Sequence, residues 1–166
     1  MTPNKEDYLK CIYEIGTDMQ KITNKEIAAR MQVSPPAVTE MIKRMKSENL
    51  ILKDKENGYL LTDIGLKLVS ELYRKHRLIE VFLVHHLDYT SDQIHEEAEV
   101  LEHTVSDLFV KRLDKLLGFP QTCPHGGTIP AEGELLVEIN NLPLAAVQEA
   151  GTYLLTRVHD SFELLK

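Results

Sequence analysis

The 166-residue sequence predicts a mostly α-helical protein, with an N-terminal winged helix-turn-helix followed by a second helical domain. Three observations lead there. Apolar residues recur at i, i+3, i+4 and i+7 along most of the chain, the spacing that gives a helix one buried stripe. The stretch 50–61 breaks that pattern with two short apolar runs around a turn-rich hexapeptide, the mark of a hairpin. The resulting order of helix, helix, tight turn, helix and two-stranded ribbon is that of a winged helix-turn-helix.

Thr2 and Pro3 read as the cap and first residue of helix one, with Glu6 in its first turn. Tyr8, Cys11, Ile12 and Ile15 supply its stripe, and Gly16 ends it. Thr23 caps a second helix on Ile27, Ala28 and Met31, ending near Gln32. Ser34 caps a third, with Pro35 opening it and Val38, Met41, Ile42 and Met45 as its buried face. Leu50–Leu52 and Tyr59–Leu61 form the hairpin around Lys53–Gly58. Thr62 opens a long helix to about Leu87, on Ile64, Leu68, Leu72, Ile79 and Leu83. Ser91 caps the next, with one break or bend before 116, and Gly118-Phe119-Pro120 stops it. A loop rich in proline and glycine covers 120–133. Glu134–Ile139 and Leu142–Ala150 are candidate short helices, the second with Pro143 in its first turn.

No apolar run approaches the roughly 18 residues needed to cross a bilayer, which argues against a membrane protein. The start, MTPNKEDYLK, lacks the apolar core of a secretory signal. Cys11 and Cys123 give no disulfide framework and fit a reducing cytoplasm. The formal net charge of −7 would normally argue against nucleic acid, but it hides an asymmetry. Residues 1–75 hold 13 Lys/Arg and 11 Asp/Glu, whereas 76–166 hold 6 and 15. All seven histidines, at 76, 85, 86, 95, 103, 125 and 159, lie in the acidic half. One half is mildly basic; the other pools carboxylates and imidazoles, which hold divalent cations.

In the basic half, burying Val38, Met41, Ile42 and Met45 turns Pro36, Thr39, Glu40, Lys43, Arg44 and Lys46 outward. The start of that third helix, Ser34 to Ala37, is the part that would approach base edges in a major groove. Ser34 and the free amides there suit a phosphate. Lys43, Arg44 and Lys46, with Lys53 and Lys55 of the hairpin, suit phosphates that fix position without reading sequence. Ala37 and Thr39 suit thymine methyls, and Glu40 a cytosine amino group. Protein-interaction modules share this element order, so the pattern leaves both partners open.

In the acidic half, a helical wheel from His95 places Glu99, Glu102 and His103 with it in a wedge about 100° wide. Ala98, Leu101, Val105 and Leu108 fall on the opposite side. His76 and Glu80 stand one turn apart on the long helix. Cys123 and His125 stand together on the loop. Any one cluster reads equally as a solvated acidic face or buried filler; three together point to one or two metal sites. Catalysis is disfavoured, because the chain lacks a His-Glu-x-x-His pair, a phosphate-binding glycine loop and a nucleophile elbow. No enzyme activity is therefore expected.

Four runs carry a family resemblance: Asn4-Lys5-Glu6-Asp7-Tyr8, Val33 through Thr39, Arg74 through Glu80, and Glu99-Val100-Leu101-Glu102-His103. They resemble the diphtheria-toxin-repressor family across essentially the whole chain, closest to its manganese-responsive streptococcal branch. The resemblance implies a winged helix over 1–73, a helical metal-binding and dimerisation domain over 74–140, and over 141–166 the start of a linker to an absent C-terminal SH3-like domain. It implies a homodimer that represses metal-uptake genes by binding palindromic double-stranded operators, with Mn2+ as corepressor and Fe2+, Zn2+ and Cd2+ as alternative ions. Asp7, Glu99, Glu102 and His103 would ligate one ion, with Cys123 nearby. His76, Glu80 and His95 would belong to a second site, with His125 and Asp160 as additions; the division of the loop ligands stays open.

The chain departs from parts of the family pattern. Glu99 stands where many iron-responsive members carry cysteine, and oxygen for sulfur favours Mn2+. Lys10 replaces a glutamate of small two-domain manganese regulators, and Glu40 a glutamine of iron-responsive relatives. On this reading Asp7 belongs to the reading head and Glu99, Glu102 and His103 to the body. A shared cation would then fix their relative orientation and favour DNA, with a coupling of about 1–3 kcal/mol. Apolar Val105, Leu108, Phe109, Leu113, Leu116 and Leu117 are candidates for the dimer interface or for the chain's own core. Two rival functions remain: a winged-helix regulator answering to a small organic ligand or to redox state through Cys11 and Cys123, and a small metalloenzyme.

Overall fold

The computed structural model describes residues 4–18, 21–137 and 143–157. The chain divides into two compact units, Met1–Leu72 with Glu132–Leu135, and Tyr73–Ala131 with Leu136–Lys166. The first holds α1 (Lys5–Thr17), α2 (Asn24–Met31), α3 (Pro35–Ser47), β1 (Ile51–Asp54) and β2 (Gly58–Leu61). The helix α4 (Asp63–Leu87) begins in it and continues into the second, which also holds α5 (Ser91–Glu102) and α6 (Asp107–Leu116).

The cap of α1 is Asn4, where the sequence suggested Thr2; Thr2 and Pro3 lie outside the described residues. Asn4 accepts from the Asp7 amide at 3.1 Å while the Asp7 carboxylate accepts from the Asn4 amide at 2.6 Å. That reciprocal box satisfies two donors the helix leaves open, so it outcompetes a single upstream hydroxyl. The core of this unit is built from Leu9, Ile12, Ile15, Ile27, Val38 and Met45, as the helical spacing requires. Met41, expected in the buried face of α3, is only half-buried. Gln32 takes a left-handed conformation (φ 54°) that ends α2 and makes the tight turn into α3.

Strands β1 and β2 pair antiparallel from Ile51↔Leu61 to Asp54↔Gly58. Ile22 adds a parallel bridge to Gly58. Gly58 sits at φ +86°, and a Cβ there would lie 1.9 Å from the Ile22 carbonyl oxygen, so only glycine fits. On α4 the expected stripe starts wrongly: Ile64 and Leu68 are exposed and Gly65 and Val69 are buried instead, whereas Leu72, Ile79 and Leu83 are buried as expected. Gly65 packs against the Leu50 carbonyl, which rotates the buried face of this first part by one position.

In the second unit Thr90, not Ser91, is the N-cap of α5, and its amide donates to Gln93 Oε1 at 3.2 Å. The expected break falls between α5 and α6, where Ser106 caps the new helix by accepting from the Phe109 amide. Leu78, Ile79, Val81, Leu83, Ile94, Ala98, Val110, Leu113, Cys123 and Ile129 form one core, with Val105 and Leu117 packed on it. Leu108, Phe109 and Leu116 remain 64, 45 and 63 % exposed. The six candidate interface residues thus divide evenly between core and surface.

Neither expected short helix forms among the described residues. Glu134–Val137 is irregular, and Leu144–Ala146 makes a single 3-10 turn. Leu144 is 78 % exposed, so this segment buries no stripe, and a short helix without one does not hold in water.

Candidate metal centre

The helix α4 sets the geometry of the site. His76 and Glu80 lie one turn apart and are both buried, Glu80 completely. His76 Nε2 stands 3.1 Å from Glu80 Oε1, and His76 Nδ1 stands 2.5 Å from Glu102 Oε2 on α5. One imidazole therefore joins carboxylates from two helices. The ring of His95 meets that of His76 edge-on, with centroids 5.2 Å apart. Further along α5, His95 Nε2 is 3.7 Å from Glu99 Oε1, and His103 Nε2 is 3.4 Å from Glu102 Oε1.

The loop after α6 supplies the remaining donors. The Gly126 amide donates to the Cys123 carbonyl and the Cys123 amide to the Gly127 carbonyl, each at 2.9 Å. Gly126, at φ +84°, supplies the left-handed turn, and Thr122 and Thr128 bridge below it. This tight hairpin buries Cys123 and His125 and brings His125 Nδ1 to 3.3 Å from Glu80 Oε1.

Two triads result, His76–Glu80–His95 and Glu80–Cys123–His125, each with its donor atoms within 4.8 Å of one another. Glu80 belongs to both. Its Oε2 is buried with no hydrogen-bond partner among the described residues, a costly placement in a folded protein. Carboxylate, imidazole and thiol together suit a divalent first-row cation, so the residues fit such an ion. Burial pushes the Glu80 carboxyl up, but hydrogen bonds from His125 and His76 and the charge of those rings hold it well below the usual carboxylate range. The carboxylate is thus kept ionised.

The expected site residues are distributed as follows. His76, Glu80, His95, Cys123 and His125 come together, and both loop donors stand with Glu80. Glu102 is buried against His76, while Glu99 is exposed and His103 half-buried at the end of α5. Asp7 lies in the first unit, with its carboxylate in the α1 capping box. Asp160 lies outside the described residues. Sequence reasoning missed the two buried arginines of α4, Arg74 and Arg77. Their signal was present: Ser70, Arg74, Arg77 and Val81 follow a helical stripe in which a charge has no business unless something inside the protein receives it.

Cys11, a candidate redox handle, is buried in the first unit. Desolvation, with the Glu14 carboxylate adding to it, pushes its thiol up to about 12, which leaves it protonated and unreactive near neutrality.

On α3, Ser34, Pro36, Ala37, Thr39, Glu40, Lys43, Arg44 and Lys46 are all exposed. The Ser34 hydroxyl accepts from the Ala37 amide at 3.4 Å. Thr39 Oγ1 donates to the Pro35 carbonyl at 3.0 Å and accepts from Asn24 Nδ2 at 3.1 Å, so its hydroxyl is engaged by α2 and α3 themselves. Arg44 and Lys5 both pair with Glu48, at 3.1 and 2.5 Å.

Comparison with known proteins places this arrangement. Residues 1–59 match the family model of the iron dependent repressor N-terminal DNA binding domain, and residues 62–131 that of its metal binding and dimerisation domain. The crystal structure of ScaR with bound Cd2+ is 72 % identical, with a TM-score of 0.93 over 98 % of this chain and 76 % of that one. The structure of the manganese regulator SloR is 64 % identical, with a TM-score of 0.89 over 99 % of this chain and 77 % of that one. The iron-dependent repressor IdeR of Mycobacterium bovis is 32 % identical over 153 residues, 92 % of this chain. The chain spans 65 % of the length of that curated relative. The helices α1 to α6, strand β1 and the buried donors fall within the matched segments, and the chain belongs to the iron-dependent repressor family, that of the diphtheria toxin repressor.

Proposed function

We propose that the protein is a cytoplasmic, metal-dependent transcriptional repressor, responsive to manganese, that binds palindromic operators of metal-uptake genes as a homodimer. The observation that carries this reading is the buried Glu80 carboxylate, kept ionised, shared by two donor triads and holding one oxygen without a partner among the described residues. A divalent cation, when bound, supplies the positive charge that those donors converge on. His76, Glu80, His95, Cys123 and His125 would hold one ion, with Asp160 as a further ligand. The set implied by the resemblance, Asp7, Glu99, Glu102 and His103, is proposed for another. Manganese is preferred on two grounds: the carboxylates are hard donors, and SloR, 64 % identical, is named a manganese regulator.

For DNA, the exposed face of α3 and its Ser34–Ala37 start supply the reading surface, with Lys43, Arg44 and Lys46 on phosphates. We assign residues 1–73 to this task, 74–140 to metal binding and dimerisation, and 141–166 to a linker. Exposed Leu108, Phe109 and Leu116 on α6 supply apolar surface for a second copy. No helix among the described residues is long and apolar enough to cross a membrane.

The test is an anaerobic titration of Mn2+, Fe2+ and Zn2+ while binding to a palindromic duplex is followed. Affinity should rise about 5–150-fold with the activating ion. Operator affinity that does not change with any ion overturns the proposal and favours a regulator answering to an organic ligand.

A further inference from the structure

We infer that Arg77 is a positioning residue for the Cys123–His125 loop, the clamp that sets where its thiol and imidazole stand. The inference rests on the proposed metal centre. Arg77 is completely buried on α4, one residue after His76 and three before Glu80. A guanidinium is costly to bury, so its placement needs a purpose. Its Nη1 donates to the Thr128 carbonyl at 2.5 Å, immediately past the hairpin that carries Cys123 and His125. Its Cζ lies 4.7 Å from the centre of the Tyr73 ring, one turn back on α4, which fixes the plane of the group.

The loop is shaped to admit it. A Cβ at Gly127 would stand 2.8 Å from Arg77 Cζ and 2.8 Å from its Nε, so the absence of a side chain lets the backbone close on the guanidinium. The Gly127 carbonyl in turn receives the Cys123 amide. One rigid path therefore runs from α4 through Arg77 to the Gly127–Thr128 backbone, and through it to the two donors. Because His76 and Glu80 ride on the same helix, Arg77 fixes the loop donors relative to the helix donors. Leucine at position 77 would complete the apolar stripe but hold no carbonyl. Lysine would reach one carbonyl without the planar fork that stacks on Tyr73.

The experiment uses Co2+ as the probe ion, titrated anaerobically into the full chain as wild type, Arg77→Met, Arg77→Lys and Cys123→Ser. Amide exchange of the ion-free proteins is measured in parallel. Wild type should develop a thiolate-to-Co2+ charge-transfer band that Cys123→Ser lacks. In Arg77→Met that band should need about 10–100-fold more Co2+ to saturate, the usual effect of losing a group that orients a ligand. The Cys123 and Gly126 amides should exchange faster in Arg77→Met before any ion is added. Arg77→Lys should recover part of both. A wild-type titration and unchanged exchange in Arg77→Met overturn the inference. A wild type without the thiolate band overturns the metal centre instead, and the exchange measurement then decides the clamp by itself. Should Arg77→Met fail to fold, Gly127→Ala, which presses on the guanidinium from the loop side, must show the same losses or the inference fails.

Discussion

Replacing Glu80 with glutamine keeps the shape of the side chain and removes the charge that both triads share. Without Mn2+ the effect on stability should be small, because two large quantities oppose. The carboxylate faces His76 at 3.1 Å and His125 at 3.3 Å, and a hydrogen bond to a charged group contributes about 1.5–3 kcal/mol. Taking that carboxylate out of water costs several kcal/mol, which glutamine avoids. The ion-free variant should unfold within a few degrees of wild type. With Mn2+ at about 100 times its dissociation constant, binding to the native state adds about 2.7 kcal/mol to wild type. At about 2–4 °C per kcal/mol for a chain of this size, the midpoint rises by about 5–11 °C. Losing a direct ligand should weaken binding at least as much as losing a group behind one, taken as about 100-fold. The same Mn2+ then adds only about 0.4 kcal/mol, or about 1–2 °C. Thermal unfolding followed by circular dichroism at fixed Mn2+ reads both numbers. A Glu80→Gln protein whose midpoint rises with Mn2+ as far as wild type would refute the reasoning, since the shared carboxylate would then contribute nothing to the ion.

Three further outcomes are expected. Lys43→Ala should weaken binding to every duplex alike and reduce the slope of log affinity against log salt by about 0.9, measured by fluorescence anisotropy; a loss confined to one base position would assign Lys43 to reading instead. Asp7→Ala should weaken Mn2+-dependent operator binding and cost α1 about 0.5–2 kcal/mol from its capping box, with unchanged operator affinity in Mn2+ counting against its role as a ligand. Cys11 should resist iodoacetamide at neutral pH in the native protein, read by mass spectrometry. Its folded-state pKa is raised above the ordinary value of 9.0 to about 12, so its contribution to stability is complete below 9 and is lost as pH rises toward 12. Cys11→Ala should flatten stability between those limits, and an unaltered slope would show that other groups set it.

How far the sequence could be read followed the kind of force involved. Helix stripes depend on apolar side chains three and four apart, so α1 to α3, the hairpin and the α5–α6 break were legible. Caps were less so, because neighbouring residues compete for the same free amides: Thr2 against Asn4, Ser91 against Thr90. The Leu142–Ala150 segment had a plausible composition, but its described 3-10 turn at Leu144–Ala146 buries no residue, which no local pattern reports. For the site, helical geometry joined His76 to Glu80 and His95 to Glu99. It could not show that Glu102 reaches back to His76, or that the loop folds both Cys123 and His125 onto Glu80, since those residues stand 26, 43 and 45 positions apart in the chain. The buried arginines were invisible as function for the same reason, although their place on the stripe marked them as exceptional.

Stability alone does not account for what surrounds Glu80. Its neighbours Leu78, Ile79, Val81 and Leu83 belong to the apolar core, so leucine at 80 would extend an apolar run already in place. Exchanging buried ion pairs for apolar side chains of like volume is often neutral or stabilising, by about 1–4 kcal/mol. The chain instead buries a carboxylate with one oxygen unpartnered among the described residues, and gathers three imidazoles and a thiol around it from α4, α5 and the loop. Each placement is unfavourable taken singly, and hydrophobic packing rewards none of them. They become favourable together only if something cationic occupies the point on which they converge. The His76 and His125 rings beside Glu80 Oε1 meet part of that requirement, but they leave Glu80 Oε2 without a partner among the described residues. A thiolate ligand adds a second negative charge that imidazoles alone balance poorly, whereas a divalent ion balances both.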